Sequence, residues 1–133
     1  MRFLKVLIFI SMCVLLAQHQ GCGLFHGPEI TDDLIARYIY SYGHLKKLGV
    51  ELTITPNGIV ADGASRDELD QVVMAAGFND YSEFSRTGLA IDRAMKSARS
   101  QAPDPHVIGG PSDASVQACM RNMQSLKLVL EDL

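Results

Sequence analysis

Apolar residues recur at intervals of three and four in four stretches of the chain. This spacing places side chains on one face of an α-helix. The first stretch runs from Ile30 to Gly49, and the others begin near Ser65, Asp80 and Asp113. We therefore predict a mainly α fold, a small bundle of about four helices.

The first predicted helix has start and stop signals at its ends. Thr31 is the predicted N-cap, because its hydroxyl can accept a hydrogen bond from a backbone N–H of the first turn. Ile30 and Ile35 stand at the positions of a hydrophobic staple, and Gly49 is the predicted C-terminal cap. The predicted buried stripe consists of Ile30, Leu34, Tyr38, Tyr42, Leu45 and Leu48.

The second and third helices begin with capping-box patterns. Ser65 is followed three residues later by Glu68, and Asp80 is followed by Glu83. Gly88 lies in the middle of the third helix, where glycine costs ~1 kcal/mol relative to alanine. We expect Gly88 to allow close packing against another helix.

The fourth helix follows a segment rich in proline and glycine, residues 101–113, which predicts a loop. Ser112 or Asp113 is the predicted cap of this helix. Its apolar stripe is predicted to contain Val116, Cys119 or Met120, Met123, Leu126 and Leu130.

The pattern between the first and second helices is not helical. Three β-branched residues, 53–55, precede the turn sequence Pro-Asn-Gly at 56–58, and two further apolar residues follow. This order predicts a minor β-hairpin, which must lie on the helices because an isolated ribbon is marginally stable. The alternative is an irregular loop that places Ile54 and Ile59 in the core. The stretch lacks the oxygen ligands and closing glutamate of a calcium loop, so we predict no metal site.

Residues 1–21 predict a signal peptide. Arg2 and Lys5 supply positive charge, and Val6 to Ala17 are uninterrupted apolar or small residues. This run is shorter than the ~20 residues that a membrane-spanning helix needs, and it fits the apolar core of an export signal.

Cys22 stands where a bacterial lipoprotein signal would place its cysteine. In that signal a large aliphatic residue lies three positions before the cysteine and small residues lie between. Gly21 fits this pattern, Gln20 is tolerated and His19 departs from it. The layout resembles that of Gram-negative lipoproteins, and Gly23 after the cysteine then implies the outer membrane, facing the periplasm. We therefore predict lipidation of Cys22.

Two alternatives to lipidation stay open. An ordinary signal peptidase would cleave after Ala17 or Gly21 and leave Cys22 free or disulfide-bonded to Cys119. An uncleaved leader would instead serve as an N-terminal anchor.

The chain after the leader is acidic. Residues 22–29 predict a flexible tether, and 30–133 predict a single helical domain. Without Arg2 and Lys5 the chain has 10 basic residues against 15 acidic ones, a net charge of −5. This balance argues against nucleic-acid binding, which needs a basic patch, and against strong electrostatic attachment to anionic lipid.

No catalytic motif is present in the sequence. Cys119 is predicted to be a small buried hydrophobe, and acidic pairs at the helix starts are explained by capping and the helix dipole. We predict no catalytic residue, metal or cofactor. An enzyme, the third hypothesis for function, would need His44, His106 or an acidic pair to converge with Cys119 or a serine.

Tyr40 is the tyrosine that falls off the apolar face of the first helix, whereas Tyr38 and Tyr42 fall on it. An exposed Tyr40, together with Ile39, would mark a partner surface. The simpler interpretation is a set of core tyrosines with hydroxyls at the rim.

The leading prediction is a non-enzymatic binding or assembly module in the bacterial envelope, held to the membrane by its lipid and bound to a protein partner. The alternative is a carrier or chaperone for an apolar ligand or protein, with methionines lining a groove.

Residues 72–95 resemble a pattern of small helical exported bacterial proteins of unknown function. In that pattern a helix ends in Gly-Phe, and the next helix carries an aromatic residue, a glycine and an Asp-Arg pair. The matching residues are Gly77, Phe78, Phe84, Gly88, Asp92 and Arg93. The resemblance implies an exported helical domain and transfers no active site.

Overall fold

The computed structural model describes residues 27–100 and 111–130. The predicted signal peptide, Cys22, His106 and most of the 101–113 loop lie outside this part. The described elements are α1 (Asp32–Lys47), β1 (Glu51–Thr55), β2 (Gly58–Asp62), α2 (Arg66–Ala75), α3 (Tyr81–Arg99), α4 (Asp113–Arg121) and α5 (Met123–Leu130). The predicted mainly α fold with a minor hairpin is confirmed.

The ends of α1 follow the local sequence signals. Leu34 N donates to Thr31 Oγ1 at 3.2 Å, so Thr31 is the N-cap. Gly49 adopts φ +82°, and the chain reversal there lets Val50 N donate to Leu45 O at 3.1 Å. This is the bonding of a Schellman motif, which satisfies carbonyl groups that the helix end leaves open.

The capping boxes of α2 and α3 differ in one detail. Ser65 N donates to Glu68 Oε2 at 2.8 Å, and Glu68 N donates back to Ser65 Oγ. The backbone hydrogen bond from Ser65 lowers the pKa of the Glu68 carboxyl. In α3, Asp80 caps as predicted, but the Glu83 carboxylate accepts from Asn79 N at 2.6 Å, one residue earlier than a closed capping box requires.

The segment between α1 and α2 is a hairpin rather than an irregular loop. Thr55 pairs with Gly58 in antiparallel register, which leaves Pro56 and Asn57 as the turn. The ribbon lies on α3, where Ile59 N donates to Ser85 Oγ at 2.6 Å. This contact with α3 helps to stabilise the two-stranded ribbon, which would be only marginally stable alone.

The centre of the core lies between α1 and α3. The Tyr38 and Phe84 rings stack at 5.1 Å, and both side chains are fully buried. Gly88 lies beside them, since a Cβ added there would be 2.8 Å from Tyr38 Cε2 and would overlap the end of Ile59. The predicted use of Gly88 for close packing is confirmed, with the hairpin as a second neighbour besides α1.

One stripe position, Leu48, differs from the prediction. Leu48 is exposed, because the reversal at Gly49 brings Val50 into the core beside Leu45 instead. In α4 the prediction allowed either Cys119 or Met120 on the stripe; Cys119 is the buried residue, and Met120 is exposed.

The last predicted helix is divided into α4 and α5 at Asn122. Asn122 Nδ2 donates to Ala118 O at 2.9 Å and to Asp32 Oδ1 at 2.7 Å. Arg121 also pairs with Asp32, at 3.0 Å. These bonds hold the junction against the start of α1, and the hydrogen bond from Arg121 lowers the pKa of the Asp32 carboxyl.

Candidate functional site

The outer face of α1 carries an exposed aromatic residue. Tyr40 is 57 % exposed, and its ring stacks on the His44 ring one turn later, at 5.8 Å between centroids. Tyr38 and Tyr42 are buried, because residues two apart on a helix point to opposite sides. Ile39 is half-buried and packs against the core, so Tyr40 supplies most of the accessible apolar area of this predicted pair.

Cationic side chains continue this face towards the end of α1. Lys47 lies one turn beyond His44, and Lys46 is its neighbour; both are exposed. Neither lysine has an ion-pair partner among the residues that the structure describes, although both lie where the helix dipole favours positive charge. We call Tyr40, His44 and Lys47 the Tyr40 surface. It combines an apolar ring with the ammonium group of Lys47, which is unpaired within residues 27–100 and 111–130.

A cleft of about 340 Å³ lies where the chain entering α1 meets α3 and the start of α4. Ile30 N donates to Ser115 Oγ at 2.9 Å, and Ser112 Oγ donates to the same oxygen at 3.0 Å. These bonds fix one wall, and Arg93 of α3 stands on the other. We call this the Arg93 cleft; its lining also includes Pro28, Glu29, Ala90, Pro111 and Ala114.

The candidate catalytic side chains do not meet in the described structure. Cys119 is buried and forms no disulfide with a described residue, and burial raises the pKa of its thiol to about 11, so it is a neutral thiol near pH 7. His44 is exposed on the outer face of α1 and forms no hydrogen bond with that thiol. His106 lies outside the described residues.

The buried Tyr38 hydroxyl between α1 and α3 is also unsuited to acid–base chemistry. Burial raises the pKa of Tyr38, and the nearby Tyr42, Tyr81 and Asp92 raise it further. Within the described ranges the Tyr38 hydroxyl has no hydrogen-bond partner. It stays neutral near pH 7 and has no base to accept its proton.

Metal-binding clusters and membrane-spanning helices are both absent from residues 27–100 and 111–130. No group of three or more His, Cys, Asp or Glu side chains there is placed to bind a metal ion. Of the helices in those ranges, none has the length and hydrophobicity needed to cross a membrane. Comparisons with protein-family models, curated proteins and solved structures give no match to this chain.

The Arg93 cleft is the feature that sequence reasoning missed. Its walls come from three separate parts of the chain, around Ile30, Ala90 and Ser115. No local motif links these residues, because only the packing of α4 on α3 brings them together. The Tyr40 surface lies within one helix, and its position off the apolar face could therefore be predicted from helical spacing.

Proposed function

We propose that the protein is an exported bacterial envelope protein, anchored by a lipid at Cys22, whose domain binds another protein without catalysis. The observation that supports this proposal is the Tyr40 ring, more than half exposed yet stacked on His44. Tyrosine is enriched among residues that dominate protein–protein binding energy. A ring supported by its neighbour also loses little conformational freedom on binding.

The positive charge of Lys47 beside Tyr40 defines the chemistry of the partner. His44 and Lys47 lie on the same side of α1, and the lysine is unpaired in the described structure. The chain after residue 21 has a net charge of −5, so this positive end of α1 contrasts with the rest of the molecule. The partner segment should therefore present an acidic side chain next to an apolar one, an arrangement that favours specific docking.

Replacing Tyr40 with alanine is expected to weaken partner binding by about tenfold or more, the loss typical of a central interface aromatic residue. Because Tyr40 is exposed, the fold should be unaffected. The measurement compares partners cross-linked to the full-length protein in intact envelopes, followed by the Kd of the identified partner with each purified variant.

Met74→Ala is the matched control, because Met74 has the same exposed fraction, 57 %, but lies on α2. Loss of one partner in Tyr40→Ala but not in Met74→Ala supports the proposal. Equal binding of all partners by both variants contradicts it. The intact mass of the N-terminal peptide tests the anchor separately: a diacylglyceryl adduct on Cys22 supports lipidation, and an unmodified Cys22 contradicts it.

The second candidate is a carrier for an apolar ligand, favoured by the Arg93 cleft. Its volume of about 340 Å³ falls at the small end of the range for ligand pockets. Half of its lining residues are proline, alanine or isoleucine, and Arg93 would pair with an anionic group of the ligand. Native mass spectrometry of the purified protein decides: a bound small molecule that is lost in Ala90→Trp supports the carrier.

A further inference from the structure

The chain enters the folded domain across the outer face of α3. A methyl group added to Gly27 would lie 3.6 Å from the Ala90 Cβ atom, so the backbone at Gly27 runs directly over Ala90. Gly27 and Pro28 line the Arg93 cleft on one side and a second cleft, which contains Arg86, on the other. Two arginines therefore flank the entering chain.

Arg86 and Arg93 share one side of α3. They are seven residues apart, which is two helical turns or about 10 Å along the axis, and both are exposed. Neither forms a hydrogen bond or ion pair within the part of the chain that the structure describes. The acidic residues that line the same two clefts are Glu29, Asp80 and Glu83, and none of them pairs with an arginine in the described structure.

This side of α3 faces away from the core and away from the Tyr40 surface. Phe84 and Gly88 form the buried side of α3 and pack against Tyr38 of α1. Since α1 and α3 contact each other through their buried sides, their outer sides point in opposite directions. The entering chain and the Tyr40 ring thus lie on opposite sides of the domain.

The distance from Cys22 to the domain is short. Five residue steps separate Cys22 from Gly27, and a fully extended chain of that length spans at most about 18 Å. A lipid on Cys22 therefore keeps Gly27 within about 18 Å of the headgroups, and Ala90 on the outer face of α3 lies next to Gly27.

We propose that the outer face of α3 lies against the membrane, with Arg86 and Arg93 contacting anionic lipid headgroups. The inference rests on the lipid anchor of the proposed function. Each arginine near an anionic surface increases the equilibrium constant for membrane contact about fivefold. Two arginines are therefore too few to bring a domain of net charge −5 to the membrane. Their role is to orient a domain that the lipid already holds, so that the Tyr40 surface points away from the bilayer.

Tryptophan fluorescence tests this orientation, because the chain contains no tryptophan. Ser97→Trp places the probe on the outer face of α3, one turn beyond Arg93, and Ala36→Trp places it on the outer face of α1. The full-length lipidated protein is reconstituted in vesicles of phosphatidylcholine and phosphatidylglycerol that carry a headgroup nitroxide quencher. We expect stronger quenching for Ser97→Trp than for Ala36→Trp. Arg86→Gln and Arg93→Gln should each lower the equilibrium constant for the orientation with α3 on the membrane by about fivefold, and should therefore reduce this difference in quenching.

The double variant Arg99→Gln/Lys127→Gln is the matched control, since it removes two exposed cations elsewhere and should leave the quenching difference intact. High salt and vesicles of phosphatidylcholine alone should reduce the difference. Equal quenching of the two probes, or a difference unaffected by removing Arg86 and Arg93, overturns the proposal.

A second arm separates this inference from the lipid anchor. Protein without residues 1–21, and therefore without Cys13, is coupled through a free Cys22 thiol to a maleimide lipid in the same vesicles; the buried Cys119 should not react. If native Cys22 is unmodified but the coupled protein still shows stronger quenching of Ser97→Trp, the anchor is wrong and the orienting face is right. If the coupled protein shows equal quenching at both probes, the orienting face is wrong whatever the native state of Cys22.

Discussion

Replacement of Phe84 by alanine is expected to lower the free energy of unfolding by about 3–5 kcal/mol. The ring is fully buried and contacts Tyr38 at 5.1 Å, Tyr81 at 5.5 Å and Phe78 at 5.7 Å between centroids. It therefore joins α3 to α1 and to the end of α2. The total stability of such a domain is about 5–15 kcal/mol, so the loss should be plain in urea unfolding followed by circular dichroism.

Two controls define the meaning of that result. Phe84→Leu keeps most of the buried volume and should cost much less, about 1 kcal/mol. Leu128→Ala removes a side chain that is 75 % exposed and should change stability by no more than about 0.5 kcal/mol. A similar small effect for Phe84→Ala would show that the aromatic cluster is not the centre of the core.

The helix ends were predictable because their interactions are local. Thr31 bonds to Leu34, and Ser65 exchanges hydrogen bonds with Glu68, in each case across three residues. The division of the last helix was not predictable in this way, since the bond that holds Asn122 reaches Asp32, 90 residues away. Helical periodicity alone continues through such a junction.

The same distinction applies to the candidate sites. The exposure of Tyr40 follows from its position in the α1 pattern, and its contact with His44 spans a single turn. Arg86 and Arg93 also lie on one side of α3 by spacing alone. Their relation to the tether required the structure, because nothing in the sequence indicates that Gly27 crosses Ala90.

The outer faces of α1 and α3 have different roles in the proposal. The lipid and the outer face of α3 occupy one side in the proposal, and the Tyr40 surface occupies the other. A rigid contact between α1 and α3 is therefore needed for the membrane side to determine where the partner side points. Gly88 lies at that contact.

Replacement of Gly88 by alanine is expected to destabilise the domain by up to about 2 kcal/mol. Alanine improves helix propensity by ~1 kcal/mol, but the added methyl group would lie 2.8 Å from Tyr38 Cε2 and 3.0 Å from the Tyr38 hydroxyl. The Tyr38 ring is fully buried and cannot move away without disturbing Phe84, and overpacking of this kind costs about 1–3 kcal/mol. Chemical denaturation measures the net effect.

Gly43→Ala is the matched control, because Gly43 is also inside a helix but an added methyl group there meets no atom within 4 Å. That variant should gain about 0.5–1 kcal/mol from helix propensity. The clash itself is tested with Ile59→Val, which deletes the Cδ1 atom that the Gly88→Ala methyl group would overlap. In the Ile59→Val background, Gly88→Ala should lower the free energy of unfolding by at least about 0.5 kcal/mol less than in the wild type. This is the coupling typical of residues in contact. If the effects of Gly88→Ala and Ile59→Val are additive, the cost of Gly88→Ala comes from the contact with Tyr38 alone. If Gly88→Ala stabilises the domain, the close contact between α1 and α3 is contradicted.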